Sequence, residues 1–132
     1  MKVRDLSGKE HTWNPQKTLG FRRINASSLH INAVNFLRFI YPAMQILEEV
    51  YLPGEELYLD IYMPSIKTAV ECQGQQHDQY NRFFHKNQKG YRRSIDRDSR
   101  KEQWCYVNNI RIIYFYPNES EDQWKLKLGM TS

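Results

Sequence analysis

Residues 57–77 read LYLDIYMPSIKTAVECQGQQH, and this stretch constrains the fold more than any other. Two runs of alternating character, ELYLDIYM and TAVECQG, flank Pro-Ser-Ile-Lys, the pattern of a β-hairpin. Side chains alternate faces along a strand, so Leu57, Leu59, Ile61 and Met63 share one side and Asp60 lies opposite, with Tyr58 and Tyr62. A turn centred between Ser65 and Ile66 sets Asp60 across from Glu71, with Cβ atoms about 4.5–5.5 Å apart. Carboxylates that close repel, unless one is protonated or a cation sits between them. A hard ion such as Mg²⁺ takes one or two carboxylates with waters and phosphate oxygens. Gln73, on the face of Glu71, adds an amide oxygen or orients a water. The competing account is a half-exposed hairpin with ordinary surface acids.

The remaining elements follow from periodicity. Residues 1–26 are polar and basic with no sustained period and read as a basic N-terminal arm, with Trp13 and Phe21 as anchors. Ser27 or Ser28 caps a helix to Ile40, with Leu29, Ala33, Phe36, Leu37 and Ile40 at helical spacing. Tyr41-Pro42 ends it. MQILEEVYL reads as a strand stopped by Pro53-Gly54, residues 78–88 as a loop, and 90–108 as a long helix closed by Asn109. IRIIYFY is a further strand, and ESEDQWKLKL a short terminal helix. The order α-β-β-β-α-β predicts a single α/β domain over 27–132 with a mixed central sheet.

The long helix carries a second constraint. Its sheet-facing stripe is Tyr91, Ser94, Ile95, Asp98, Lys101 and Cys105, so two charges interrupt an otherwise apolar or small row. Buried charges need partners. Either Asp98 and Lys101 pair with each other, or they reach the hairpin. His77, just past the third strand, titrates near neutral pH, which suits general acid–base work; its bland alternative is a solvent-facing loop histidine.

Net charge is only +4, yet it is unevenly spread. Phe39 to Ile66 contains no Lys or Arg but holds Glu48, Glu49, Glu55, Glu56 and Asp60. Asn81 to Arg111 carries nine basic residues against Asp96, Asp98 and Glu102, a local net of +6. An acidic pocket beside a basic, aromatic-interleaved segment suits a metal site next to a polyanion; a solvated helix face is the alternative. Cys72 and Cys105 lack any C-x-x-C spacing and read as buried free thiols. No apolar run approaches a membrane span, and the N-terminus lacks a secretory pattern, so an intracellular, cytoplasmic protein is expected.

LDIYMPSIKTAVECQGQQH followed by RDSRKEQWCYVNNIRIIYF resembles the PD-(D/E)XK nuclease superfamily. Within it the chain is most similar to the branch holding very-short-patch repair endonucleases and homing endonucleases with an E-D-x-H-D signature. The match covers about residues 27–116. The resemblance implies a restriction-endonuclease-like domain in which Asp60 binds metal, Glu71 is the motif's acidic residue and Gln73 stands where a lysine is usual. His77 matches the catalytic histidine, Asp98 the helix aspartate and Lys101 its basic partner. The first helix departs from the pattern: His30 replaces a frequent glutamate, and either it or Glu48 or Glu49 of the next strand takes that role.

The activity so implied is Mg²⁺- or Mn²⁺-dependent hydrolysis of DNA phosphodiester bonds, by nicking or double-strand cleavage, in a phage or mobile-element homing setting. Arg82, His85, Lys86, Lys89, Arg92, Arg93, Arg97 and Arg100 are the expected phosphate contacts, and Phe83 with Phe84 the wedging or stacking groups, core packing being the alternative for the two phenylalanines. The oligomeric state stays open, a homodimer included. The rival expectation is a non-catalytic nucleic-acid-binding module on the same fold, with Gln73 as its sign.

Overall fold

A four-stranded mixed sheet, β3-β4-β5-β6 in spatial order, forms the centre of the computed structural model, which describes residues 1–17, 27–74 and 88–130. The elements are β1 (Lys2–Arg4), β2 (Glu10–Thr12), α1 (Ser28–Ile40), β3 (Leu47–Leu52), β4 (Leu57–Met63), β5 (Thr68–Cys72), α2 (Gln88–Val107), β6 (Arg111–Phe115) and α3 (Glu121–Lys127). β3 and β5 each run antiparallel to β4, and β6 runs parallel to β5. The order expected from periodicity is realised, with α2 as the crossover that a parallel pair requires.

Helix α1 starts where the sequence places its cap. Ser27 is extended and its hydroxyl accepts the His30 backbone N–H at 3.2 Å, while the N–H of Tyr41 closes the last turn on Leu37. Helix α3 carries a reciprocal box in which the Ser120 hydroxyl accepts from Gln123 N and the Gln123 side chain accepts from Ser120 N. Asn109 follows α2 at φ +57, the left-handed stop its identity suggests.

Two apolar clusters sandwich the sheet. Leu29, Ala33, Val34, Phe36 and Leu37 of α1 pack with Ile61, Met63, Val70, Phe115 and Trp124. Phe115 and Trp124 stack at 4.4 Å between ring centroids. The other cluster joins Trp104 and Cys105 of α2 to Val50, Leu52, Leu57, Leu59, Tyr62 and Ala69. The strictly alternating strand expected for 57–63 is therefore broken in the middle: Leu57 and Leu59 belong to one cluster, Ile61 and Met63 to the other. Tyr62, expected beside Asp60 on a polar face, is fully buried with Leu57 and Leu59. The change of side falls at Asp60.

The first seventeen residues differ from the irregular arm expected of them. Lys2–Arg4 and Glu10–Thr12 form a two-stranded hairpin, and Val3 and Trp13 are buried in the second cluster. Three-residue strands are too short to show a period, so tertiary contacts carry the information instead. Trp13 Nε1 donates to the Tyr51 carbonyl at 3.0 Å, and its ring meets Trp104 edge-on at 5.1 Å. The Asn108 side chain pairs with both backbone groups of Arg4, at 2.8 and 2.9 Å. Glu55, buried in the β3–β4 turn, accepts the Leu6 N–H at 2.8 Å. Asp5 organises the hairpin loop. The Ser7 hydroxyl and His11 hold its carboxyl well below the usual range, with the backbone N–H groups of Lys9 and Ser7 helping against burial. Phe21 lies outside the described residues.

Candidate functional site

The site grows from the two places where β4 parts from its neighbours. Pairing of β3 with β4 keeps one register throughout, with Glu48 opposite Ile61 and Val50 opposite Leu59. That register sets Glu49 opposite Asp60. Glu49 is buried and its backbone sits at φ +53, a left-handed conformation that is rare for a non-glycine residue in the body of a strand. The twist breaks the alternation of β3 where the alternation of β4 also breaks.

Pairing of β4 with β5 sets Ile61 against Val70, and the same register sets Asp60 against Glu71, as the hairpin reading required. Beyond Ile61 the side chains take over the ladder. The Asp60 backbone N–H donates to Glu71 Oε2 at 2.7 Å, and the Cys72 N–H donates to Asp60 Oδ2 at 2.9 Å. The carboxylate facing is thus realised, and Glu71 also has a cationic partner. Lys101 of α2 reaches it, Nζ to Oε1 at 2.6 Å.

This settles how the two helix charges are used. Lys101 crosses to the hairpin, with the Asp98 charge also acting on its ammonium. Asp98 receives the Gln73 side-chain amide at 3.3 Å. Gln73 N donates to the Phe115 carbonyl at 2.9 Å, which continues the β5–β6 pairing and sets the direction of its side chain.

A second group of donors converges on Asp60 from the other side. One ring nitrogen of His30 and one carboxylate oxygen each of Glu49 and Asp60 lie within 4.8 Å of one another. His30 and Glu49 are buried and Asp60 half-buried. A dication bonded at about 2.1 Å spaces its ligands about 3–4 Å apart, so small side-chain rotations close this set onto an ion. One nitrogen and two carboxylates are metal-ligand chemistry, and the residues fit the expected group. Of the expected metal pair, Asp60 belongs to this donor set, and Glu71 contacts Lys101 and the Asp60 backbone N–H. Glu48, the other candidate on β3, is not one of the three donors but contacts the His30 ring: Nε2 lies 2.8 Å from Glu48 Oε1, and Arg38 approaches Glu48 Oε2 at 3.6 Å.

The electrostatics are those of a crowded anionic site. Burial and then the Asp60 carboxylate push Glu71 up to about 8, against the pull of Lys101. Burial alone would pull Lys101 down, but Glu71, Asp60 and Asp98 outweigh it and hold the ammonium above its ordinary value. The ammonium therefore stays charged, and the Glu71 anion is less favoured than an ordinary carboxylate. Burial also raises the Cys72 thiol, and Asp60, Glu71 and Glu49 raise it further. Cys72 and Cys105 are free thiols, half-buried and buried respectively.

Of the nine residues weighed for chemistry in the sequence, eight come together here: His30, Glu48, Glu49, Asp60, Glu71, Gln73, Asp98 and Lys101. His77 lies outside the described residues, as do Arg82, Phe83, Phe84, His85 and Lys86. Lys89, Arg92 and Arg93 fall on α2, where the description of side chains begins at Asp96. Arg97 is exposed. Arg100 is engaged by the fold: its guanidinium donates to the Glu55 carbonyl at 2.8 Å and approaches the Glu55 carboxylate at 3.4 Å. The facing of Glu49 and Asp60 was not drawn from the sequence, although a turn at Pro53-Gly54 contains it.

The chain is similar to three uncharacterized viral proteins. It is 39% identical over 57 residues to protein 307L of Invertebrate iridescent virus 6, a match covering 43% of this chain and 29% of that one. It is 41% identical over 61 residues to protein 094L of Frog virus 3 (isolate Goorha), covering 46% and 39%. Protein 033L of Invertebrate iridescent virus 3 is 34% identical over 62 residues, covering 47% and 32%. The chain spans about a third of the length of these curated relatives. No family model and no solved structure matches it. Among the described residues no helix is long and apolar enough to cross a membrane.

Proposed function

We propose that the chain is a metal-dependent nuclease that hydrolyses phosphodiester bonds in DNA on a restriction-endonuclease-like fold. The observation that carries this reading is the convergence of His30, Glu49 and Asp60 on one side of β4, with the Glu71–Lys101 pair directly behind. The chain order α-β-β-β-α-β around a mixed sheet supports this reading, being the order expected of such a domain. A viral, phage or mobile-element origin belongs to the same proposal.

A divalent ion held by His30, Glu49 and Asp60 would supply a Lewis acid for a phosphoryl oxygen and orient the substrate. The chain's own residues do the rest. Glu49 and Asp60 hold negative charge that rejects an uncompensated phosphodiester, so substrate binding depends on the cation. Lys101 stays protonated at Nζ and sets positive charge behind the reacting centre, where negative charge grows in the transition state. Its amine supplies from α2 the charge that Gln73 does not supply from β5. Glu71 fixes Lys101 through Oε1 and the Asp60 backbone through Oε2. The exposed Arg97 and the basic run before it would meet backbone phosphates, which makes affinity fall with salt.

The test is cleavage of supercoiled and linear DNA by the purified chain with Mg²⁺ or Mn²⁺, beside Asp60→Asn and Lys101→Met. Cleavage lost in both variants with DNA binding retained supports the nuclease. Tight DNA binding without cleavage across duplex, mismatched and branched substrates would favour the binding module instead.

A further inference from the structure

The identity of the ion follows from the donor set. We propose that His30, Glu49 and Asp60 form a mixed nitrogen–oxygen centre that takes first-row transition dications such as Mn²⁺ and Co²⁺ in preference to Mg²⁺, with Glu48 as the residue that positions the imidazole. This deepens the cation site of the nuclease reading but does not depend on the reaction.

Mg²⁺ is hard, demands oxygen ligands and gives up its waters reluctantly. An imidazole in place of a carboxylate removes an oxygen and one negative charge. It adds a ligand that suits later divalent metals, whose affinity for nitrogen rises along the first row. His30 is built into that role. It sits in the first turn of α1 behind the Ser27 cap, so its backbone is fixed. Its ring is buried, and Nε2 is taken by Glu48 at 2.8 Å. In the proposed centre Nδ1 is the ligand, and the carboxylate on Nε2 fixes the tautomer and the ring plane. Glu48 is itself oriented, since its second oxygen faces Arg38. Successive residues of β3 thereby have separate tasks: Glu48 holds the histidine, and Glu49, turned by its left-handed backbone, joins the donor set.

The experiment is isothermal titration calorimetry of the full chain with MnCl₂ and MgCl₂ in the absence of DNA, together with the visible spectrum of the Co²⁺-loaded chain. Mn²⁺ is expected to bind at least about tenfold more tightly than Mg²⁺, and Co²⁺ to show d–d bands that His30→Asp shifts. His30→Asp restores an all-oxygen set and should bring the Mn²⁺/Mg²⁺ ratio close to one. Glu48→Ala should weaken Mn²⁺ by about 10–100-fold, with partial rescue in Glu48→Gln, whose amide oxygen still accepts from the ring. Thermal melts of each variant separate lost binding from lost fold. Equal Mn²⁺ and Mg²⁺ affinities in the wild type, a ratio that His30→Asp leaves unchanged, or no binding of either ion overturns the proposal. Selective binding without DNA cleavage would retain this centre and remove the nuclease reading. Asp60-dependent cleavage with equal affinities would do the reverse.

Discussion

Lys101 Nζ lies 2.6 Å from Glu71 Oε1, and the two side chains keep only 15% and 3% of their solvent exposure. A helix residue thus neutralises a strand residue in the interior, beside a second carboxylate. Breaking a buried pair from one side costs far more than removing both charges. In urea unfolding above about pH 8, where Glu71 is ionised, Lys101→Met is predicted to lower stability by about 3–5 kcal/mol, with a smaller loss at lower pH. The double variant Lys101→Met/Glu71→Gln keeps an acceptor for the Asp60 N–H and should recover most of the loss. A double variant no more stable than the single one would mean that the pair is not the source.

Glu71 is predicted to titrate far above an ordinary carboxylate, with a midpoint of about 8. A folded value above the unfolded one means that ionisation opposes folding. The penalty is absent below the ordinary carboxylate range, grows as pH rises toward about 8 and is complete beyond it. A ¹³C NMR titration of the Glu71 carboxyl carbon measures the midpoint directly. Asp60→Asn removes the charge that raises it and should lower it, as should saturation with a divalent ion. A midpoint near 4 in the wild type would contradict the burial argument.

Glu49 gives a prediction of sign. In an ordinary strand, glycine is worse than alanine by about 0.5–1 kcal/mol. At φ +53 the order should invert, because a Cβ in the left-handed region costs about 1–2 kcal/mol. Glu49→Gly should therefore be more stable than Glu49→Ala, while both lose metal binding. The ordinary order in denaturant midpoints would remove the strain from the account.

Gly54 marks the joint between the N-terminal hairpin and the sheet. Its φ is +87, and a Cβ there would stand 2.6 Å from both Cβ and Oδ2 of Asp5. Gly54→Ala is predicted to lower stability by about 2 kcal/mol or more, from backbone strain and overpacking together. Chemical-shift changes should extend to Ser7 and His11, which share the Asp5 carboxylate. A neutral substitution would mean that the hairpin can move off the turn without loss.

The legibility of the fold was uneven for physical reasons. The strands and helices of 28–127 were readable because each carries a period of its own, and the Asp60–Glu71 facing because a short turn fixes register. The split of Leu57 and Leu59 from Ile61 and Met63 was not readable. It falls opposite a left-handed backbone at Glu49, which nothing in a glutamate's identity announces. The hairpin of residues 2–12 was hidden because Asn108, Trp104 and Glu55, distant in sequence, hold it in place. Gln73 looked like a weakened motif. In space its amide meets Asp98, and Lys101 of α2 meets Glu71.

Asp60 and Glu71 each serve the strand pairing as well as the charge of the site. Their side-chain oxygens accept the strand N–H groups of Cys72 and Asp60, so the seam between β4 and β5 is sewn with the same carboxylates that charge the site. An alanine at either position removes a stitch along with a charge, and inactivity in such a variant says little about chemistry. Asparagine or glutamine keeps an oxygen in the seam and isolates the charge. The reverse also holds: whatever binds at Asp60 pulls on the edge where the two strands separate, so occupancy of the site can be read as a change in hydrogen exchange at the Cys72 amide.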